Sequence, residues 1–193
     1  MGNAIQHGEV GTTQRPRARL PLMWPLTLLS GAALVTLGAH LALPVPFSPV
    51  PMTLQDVAVL LVGGLFGSAI GAGALLLYLL AGAFGLPVFA PVGPPGLARL
   101  LGPTGGYLLA FPVAAAVVGA VGQRGHLVRC VTAALLGMVL IHFGGWAQLA
   151  IQTADPARAV TVGLVPFLLP GLVKVVLVGA ILWRAHHGLR LRS

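Results

Sequence analysis

The sequence predicts an all-α, polytopic integral membrane protein with six transmembrane helices and both termini cytoplasmic. Three observations carry that prediction. Of its 193 residues, 57% are hydrophobic and only 7% charged, whereas soluble domains carry roughly 25% charged residues. The mean hydropathy is +0.96, and the apolar residues form long runs broken by segments rich in Pro, Gly or charge. The basic residues then sort to one side. Arg15, Arg17, Arg19, Arg124, Arg129, Arg184, Arg190 and Arg192 share a face in a six-span topology, while Arg99 and Arg158 fall on the other and Lys174 lies inside the last span. The positive-inside rule makes the first face cytoplasmic.

The net charge of +8 is therefore a topology signal. No basic patch interleaved with exposed aromatics is present, so the composition points away from nucleic acid and toward the lipid bilayer. Cys130 is the only cysteine, which excludes an internal disulfide and any Cys-rich metal spacing.

Taken in order, residues 1–20 are polar and lack apolar periodicity, and they read as a disordered cytoplasmic tail. Residues 21–184 make the six-helix membrane domain, and 185–193 a basic cytoplasmic tail. Leu22–Leu43 carries no charged residue and is long enough to span a bilayer at about 1.5 Å per residue. A signal peptide is the alternative there, but its apolar region is normally only about 7–15 residues.

Pro44, Pro46, Pro49 and Pro51 follow. Each lacks an N–H and fixes φ, so this stretch is a rigid, extended connector that delivers Gln55 and Asp56 to the start of the next helix. Thr53–Phe84 is too long for one span and folds into two short helices at Gly67 and Ser68. Gly63, Gly67 and Gly71, at intervals of four, suit close backbone packing. Gly85–Pro103 is dense in Pro and Gly and reads as a structured loop carrying Arg99. Thr104–Val121 is the fourth span, with Thr104 as its N-cap, and Leu127–Ile151 is the fifth. Asp155, Pro156 and Arg158 break the chain before the sixth, Val160–Trp183. The two loops 44–56 and 85–103 face outward together.

A lysine near the centre of a span costs roughly 2.5–3.5 kcal/mol to insert. Lys174 is thus expected to face a polar cavity and meet an anionic group, with snorkelling or pairing to Asp56 as alternatives. Gln55 and Asp56 are adjacent on a helix and point about 100° apart, so at most one is expected to face a central cavity. Gln55 offers both donors and an acceptor, which suits an amide-like or ureido ligand, though capping a helix start is an equal role for it. GPTGGY, Gly102–Tyr107, places Gly105 and Gly106 at a helix start, where backbone N–H groups can receive an acceptor atom or the glycines can simply pack. Tyr78, Phe89, Tyr107 and Trp146 supply aromatic walls or interfacial anchors. His142 and Trp146 share a helical face, but no second ligand at matching spacing makes a metal set. Walker A, GxSxG and HExxH patterns are absent, so binding or transport is expected and no enzyme activity or cofactor.

PVPMTLQ (Pro49–Gln55), GLPVFA (Gly85–Ala90), LLGPTGGY (Leu100–Tyr107), Trp146, and Pro166-Phe167 followed by Lys174 occur in that order. This set resembles the BioY family, the biotin-specific substrate-binding (S) components of energy-coupling factor (ECF) transporters. The resemblance implies six helices, high-affinity capture of biotin from outside, and work with a transmembrane coupling protein and two ATPase subunits. It also implies that Gln55 and Lys174 occupy the family's glutamine and lysine positions and that Arg99 is similar to a family basic residue. Gly105, Phe89, Tyr107 and Trp146 complete the expected ligand-binding set, with either cation meeting the biotin carboxylate.

Many members of that family carry an acid three residues before the lysine, where this chain has Gly171. The ligand, Asp56 and Asp155 are then the candidate partners of Lys174. Ala32 and Thr36 on the first helix are the nearest match to the family's small-residue contact with its coupling protein, and internal packing is the alternative use for them. Two other functions stay open from the residues: an S component for another vitamin, and a small membrane enzyme using Lys174 and His142.

Overall fold

Helix α1 (Met23–His40) leads into a short hairpin, β1 (Ala42–Leu43) and β2 (Met52–Thr53), and then into α2 (Gln55–Phe66) and α3 (Ser68–Ala83). A five-residue helix, α4 (Leu97–Leu101), lies in the following loop, and α5 (Gly105–Gly122), α6 (Leu127–Thr153), α7 (Pro156–Gly163) and α8 (Val165–Arg190) complete the chain. The structure, a computed structural model, describes residues 23–122 and 126–190. The tail over residues 1–20 and Arg124 and Arg192 lie outside the described residues, and so do most of the arginines on which the orientation was argued.

Among the described residues, four helices are long and apolar enough to cross a membrane: α1, α5, α6 and α8. The apolar helices α2 and α3 are shorter. Large apolar side chains such as Leu37, Val113, Phe143 and Leu169 point outward. A helix satisfies its own backbone hydrogen bonds, so such a surface is stable against hydrocarbon as it would not be against water.

Glycines set how close the helices come. The chain turns between α2 and α3 at Gly67, whose φ of 87° is readily available only to glycine. On either side of that turn, a Cβ at Gly63 would lie 2.3 Å from the Ala115 carbonyl oxygen of α5, and one at Gly71 would lie 2.9 Å from the Gly63 Cα. The Gly63–Gly67–Gly71 series is therefore the seam along which α2, α3 and α5 touch. A second seam joins α5 to α6, where a Cβ at Gly106 would lie 2.1 Å from the Gly144 carbonyl oxygen.

Four features differ from the sequence reading. The connector, expected to be extended, instead turns back on itself at Pro46 and Phe47, where Phe47 has φ 63°, and its flanks pair: Ala42 lies opposite Thr53 and Leu43 opposite Met52 in an antiparallel ladder. The loop 85–103 holds the helical turn α4. The helix expected over Val160–Trp183 starts at Val165, since α7 is a separate helix. Asp155 caps it by accepting from the Arg158 N–H at 2.9 Å, Pro156 opens it, and it ends at Gly163. Finally, α8 runs past Trp183 to Arg190.

Candidate functional site: a cavity beneath the hairpin and the α4 loop

The hairpin, the start of α2, the loop around α4 and parts of α5, α6 and α8 surround a cavity of about 610 Å³, counting its open mouth. Its wall includes Gln55, Asp56, Phe89, Arg99, Tyr107 and Lys174 from the sequence discussion, together with Met52, Thr104, Phe111, Ile141, His142 and Phe167.

Lys174 does not stand alone there. Its Nζ lies 2.9 Å from Asp56 Oδ2 and 3.0 Å from Oδ1, and it donates to the Thr53 carbonyl oxygen at 2.7 Å. Of its three candidate partners, Asp56 is thus the one the fold supplies, and Asp155 is used as a helix cap. The expectation that only one of Gln55 and Asp56 reaches the cavity is corrected, because both line it. They sit in the first turn of α2, and a cavity lying across a helix end can meet side chains that diverge by 100°.

Gln55 is only 5% exposed, and its Nε2 donates to the Tyr78 hydroxyl in a short hydrogen bond. That contact fixes the amide orientation and leaves Oε1 free to accept. Tyr78 in turn meets Phe89 edge to face, with ring centroids 5.3 Å apart. Phe89 covers Gly82 so closely that a Cβ there would lie 2.1 Å from the ring. Glycine at 82 is what lets the GLPVFA segment fold back on α3.

Arg99 is likewise 5% exposed. One of its Nη groups donates to the Ala90 carbonyl oxygen, while Nε is buried with no partner among the described residues. Burial pushes its pKa below the ordinary guanidinium value, with the nearby Tyr78 acting in the opposite direction. A guanidinium nevertheless stays protonated in proteins. Among the described residues, the site therefore holds one neutralised cation, Lys174, and one with no carboxylate beside it, Arg99. Arg99 also borders a second hollow lined by Pro49, Gly93, Pro94 and Pro103, which puts it at the cavity's loop side.

Tyr107 walls the cavity, and its hydroxyl is committed to the Gly163 carbonyl oxygen at 2.6 Å. Two expected residues lie elsewhere. Gly105 is off the cavity wall, and a Cβ on it would lie 1.8 Å from the Leu100 carbonyl oxygen, so its role here is close packing. Trp146 faces α7 instead, with its Nε1–H donating to the Pro156 carbonyl oxygen at 3.3 Å.

The sequence reading passed over the clamp that holds the α4 loop in place. Gln148 Nε2 donates to the Leu100 and Gly102 carbonyl oxygens at 3.0 and 2.7 Å, and Gln152 Nε2 to that of Leu101 at 2.6 Å. Two glutamines at i, i+4 near the end of a mostly apolar helix were the available signal. Ser48 performs a similar task for the hairpin, its hydroxyl donating to the Val162 carbonyl oxygen at 2.7 Å.

Residues 18–190 match the BioY family. The chain is 41% identical over 142 residues to a probable biotin transporter BioY of Pyrococcus horikoshii, covering 74% of this chain and 83% of that one. It is 37% identical over 153 residues to the biotin transporter BioY of Thermotoga maritima, covering 79% and 89%. A crystal structure described as the S-component for biotin from an ECF-type ABC transporter superposes with a TM-score of 0.75 over 86% of this chain and 91% of that chain, at 24% identity, which is a likeness of fold. By its sequence match over most of its length and by its relatives, this chain belongs to the BioY family.

Proposed function

We propose that this protein is a multi-pass component of the cell membrane that captures biotin with high affinity for uptake. The observation that carries the reading is the unequal state of the two cavity cations, in a wall that combines aromatic and aliphatic side chains with the neutral polar groups of Gln55, Thr104 and His142. A ligand that fits has an apolar body, one carboxylate and one compact neutral polar group. Biotin has all three.

Family membership supports biotin as that ligand, since the relatives above are named as biotin transporters. Lys174 already has a carboxylate partner, so the biotin carboxylate goes to Arg99, which has none among the described residues. The ureido group then lies against Gln55, Asp56 and Lys174, where the ammonium donates to its carbonyl oxygen and carboxylate or amide oxygens accept from its N–H groups. Phe89, Tyr107 and Phe167 enclose the thioether ring and valeryl chain.

In the proposed topology α2 and α3 are spans despite their shortness, giving six, with both termini cytoplasmic and the cavity outward. A transmembrane coupling protein and ATPase subunits of an ECF module supply the energy. Ala32 and Thr36, half-buried on the sparsely covered α1, form part of the contact with the coupling protein. No enzymatic step is assigned to the chain.

The test is calorimetric titration of the purified, detergent-solubilised protein with biotin, using thiamine and riboflavin as controls. Tight binding selective for biotin is expected. Folded protein that binds biotin no better than the controls overturns the reading.

A further inference from the structure

His142 lines the cavity, yet the assignment above gives it no role. Its ring stands between two aromatic walls, with the Tyr107 centroid 6.1 Å away and that of Phe167 6.2 Å away. Its Nδ1 lies 2.9 Å from the Met138 carbonyl oxygen, one turn earlier on α6.

A carbonyl oxygen can only accept, so the proton of that hydrogen bond belongs to Nδ1. In the neutral ring this fixes the tautomer and leaves Nε2 as a lone-pair acceptor. Among the described residues Nε2 has no hydrogen-bond partner, and it is not one of the side-chain atoms buried without one. An acceptor that is unpaired and accessible, on a ring that lines the cavity, is available to a ligand.

The other polar groups of the cavity make this useful. Lys174 and Arg99 only donate, the Tyr107 hydroxyl proton is given to Gly163, and the Gln55 amide protons face Tyr78. The side-chain oxygen and nitrogen acceptors of the wall are the Asp56 carboxylate shared with Lys174, Gln55 Oε1, the Thr53, Thr104 and Tyr107 hydroxyl oxygens, and His142 Nε2. Of these atoms, only Gln55 Oε1 and the Nε2 of the neutral His142 ring neither donate nor carry a charge. A cyclic urea carries two N–H donors, and a buried donor left without an acceptor is costly.

We infer that His142 Nε2 accepts a hydrogen bond from one ureido N–H of the ligand and so selects for a ring unsubstituted at that nitrogen. This rests on the biotin reading above and deepens it. His142 is then a ligand-contacting, selectivity-determining residue, held in register by the Met138 carbonyl. If the ring served packing alone, an aromatic replacement would leave binding unchanged.

The experiment compares the parent with His142→Phe, which keeps an aromatic ring and removes Nε2. Affinity is measured for biotin and for two analogues, each methylated at one ureido nitrogen. Parent protein that fails to bind biotin sinks the biotin reading itself, a result separate from those that follow. With biotin bound by the parent, His142→Phe is expected to lose about tenfold in affinity, and the loss is expected to vanish for one of the methylated analogues. Equal affinity of parent and variant for biotin, or the same loss for all three ligands, overturns the inference. A second measurement needs no variant: the ¹⁵N resonance of His142 Nε2 in the parent moves on adding biotin in the direction of hydrogen-bond acceptance. A resonance that stays where it was overturns the inference as well.

Discussion

Asp56 and Lys174, on α2 and α8, form an ion pair of 2.9 Å with side chains only 16% and 12% exposed. Each is therefore the other's neutralising partner at the cavity wall, and removing one leaves a charge with little access to water. Asp56→Asn or Lys174→Met alone is expected to cost about 1.5–3 kcal/mol of stability, read as a lower midpoint of thermal unfolding in detergent. The double variant is expected to regain most of the stability while binding biotin poorly, since a buried pair contributes less to folding than the loss of one member removes. A double variant as unstable as the singles would show that the pair is not what couples the two helices.

Tyr78 is fully buried and does not line the cavity, yet it holds the Gln55 amide. Tyr78→Phe is expected to weaken biotin binding by about 1 kcal/mol, close to the effect of Gln55→Ala. The pair is expected to be non-additive in a double-mutant cycle. Additive losses measured by titration would mean that the two residues act independently.

In the proposed binding mode Arg99 receives the biotin carboxylate. Arg99→Ala should therefore weaken binding of biotin by tenfold or more, on the order of the 1.5–3 kcal/mol of a charged hydrogen bond, while binding of biotinamide should change little. Competition titrations with the two ligands read this directly. An equal loss for both would move the carboxylate to another group.

Gly106 and Gly85 are both glycines but answer to different constraints. Gly106→Ala forces a Cβ to 2.1 Å from the Gly144 carbonyl oxygen, and prying apart α5 and α6 should cost about 1–3 kcal/mol or more. Gly85 has φ 90° and nothing within 4 Å of an added Cβ, so Gly85→Ala meets backbone strain alone, at about 1–2 kcal/mol. Unfolding midpoints of the two variants give the order.

Gln148 and Gln152 hold the α4 loop through three backbone carbonyls. Replacing both by Leu should leave the helical content unchanged by circular dichroism and speed biotin dissociation several-fold. Unchanged dissociation kinetics would mean that the loop does not govern escape from the cavity.

What the sequence determined by itself was whatever depends on neighbouring residues. Long apolar runs placed the long helices, Pro and Gly placed the breaks at 44–51 and Gly67, and the ordered motifs placed the family. The limit shows at α7, where Asp155 and Pro156 announced a break but not that a new helix starts there, because capping geometry starts a helix as readily as it interrupts a hydrophobic run. The candidate site was legible as a set of residue types and not as a set of contacts. Only the tertiary structure decided that Lys174 meets Asp56 rather than Asp155, that Gln55 is oriented by Tyr78, and that Gly105 and Trp146 pack away from the cavity. Hydropathy and helix periodicity describe one segment at a time, whereas an ion pair between residues 118 positions apart exists only because helices packed along glycine seams bring those segments together.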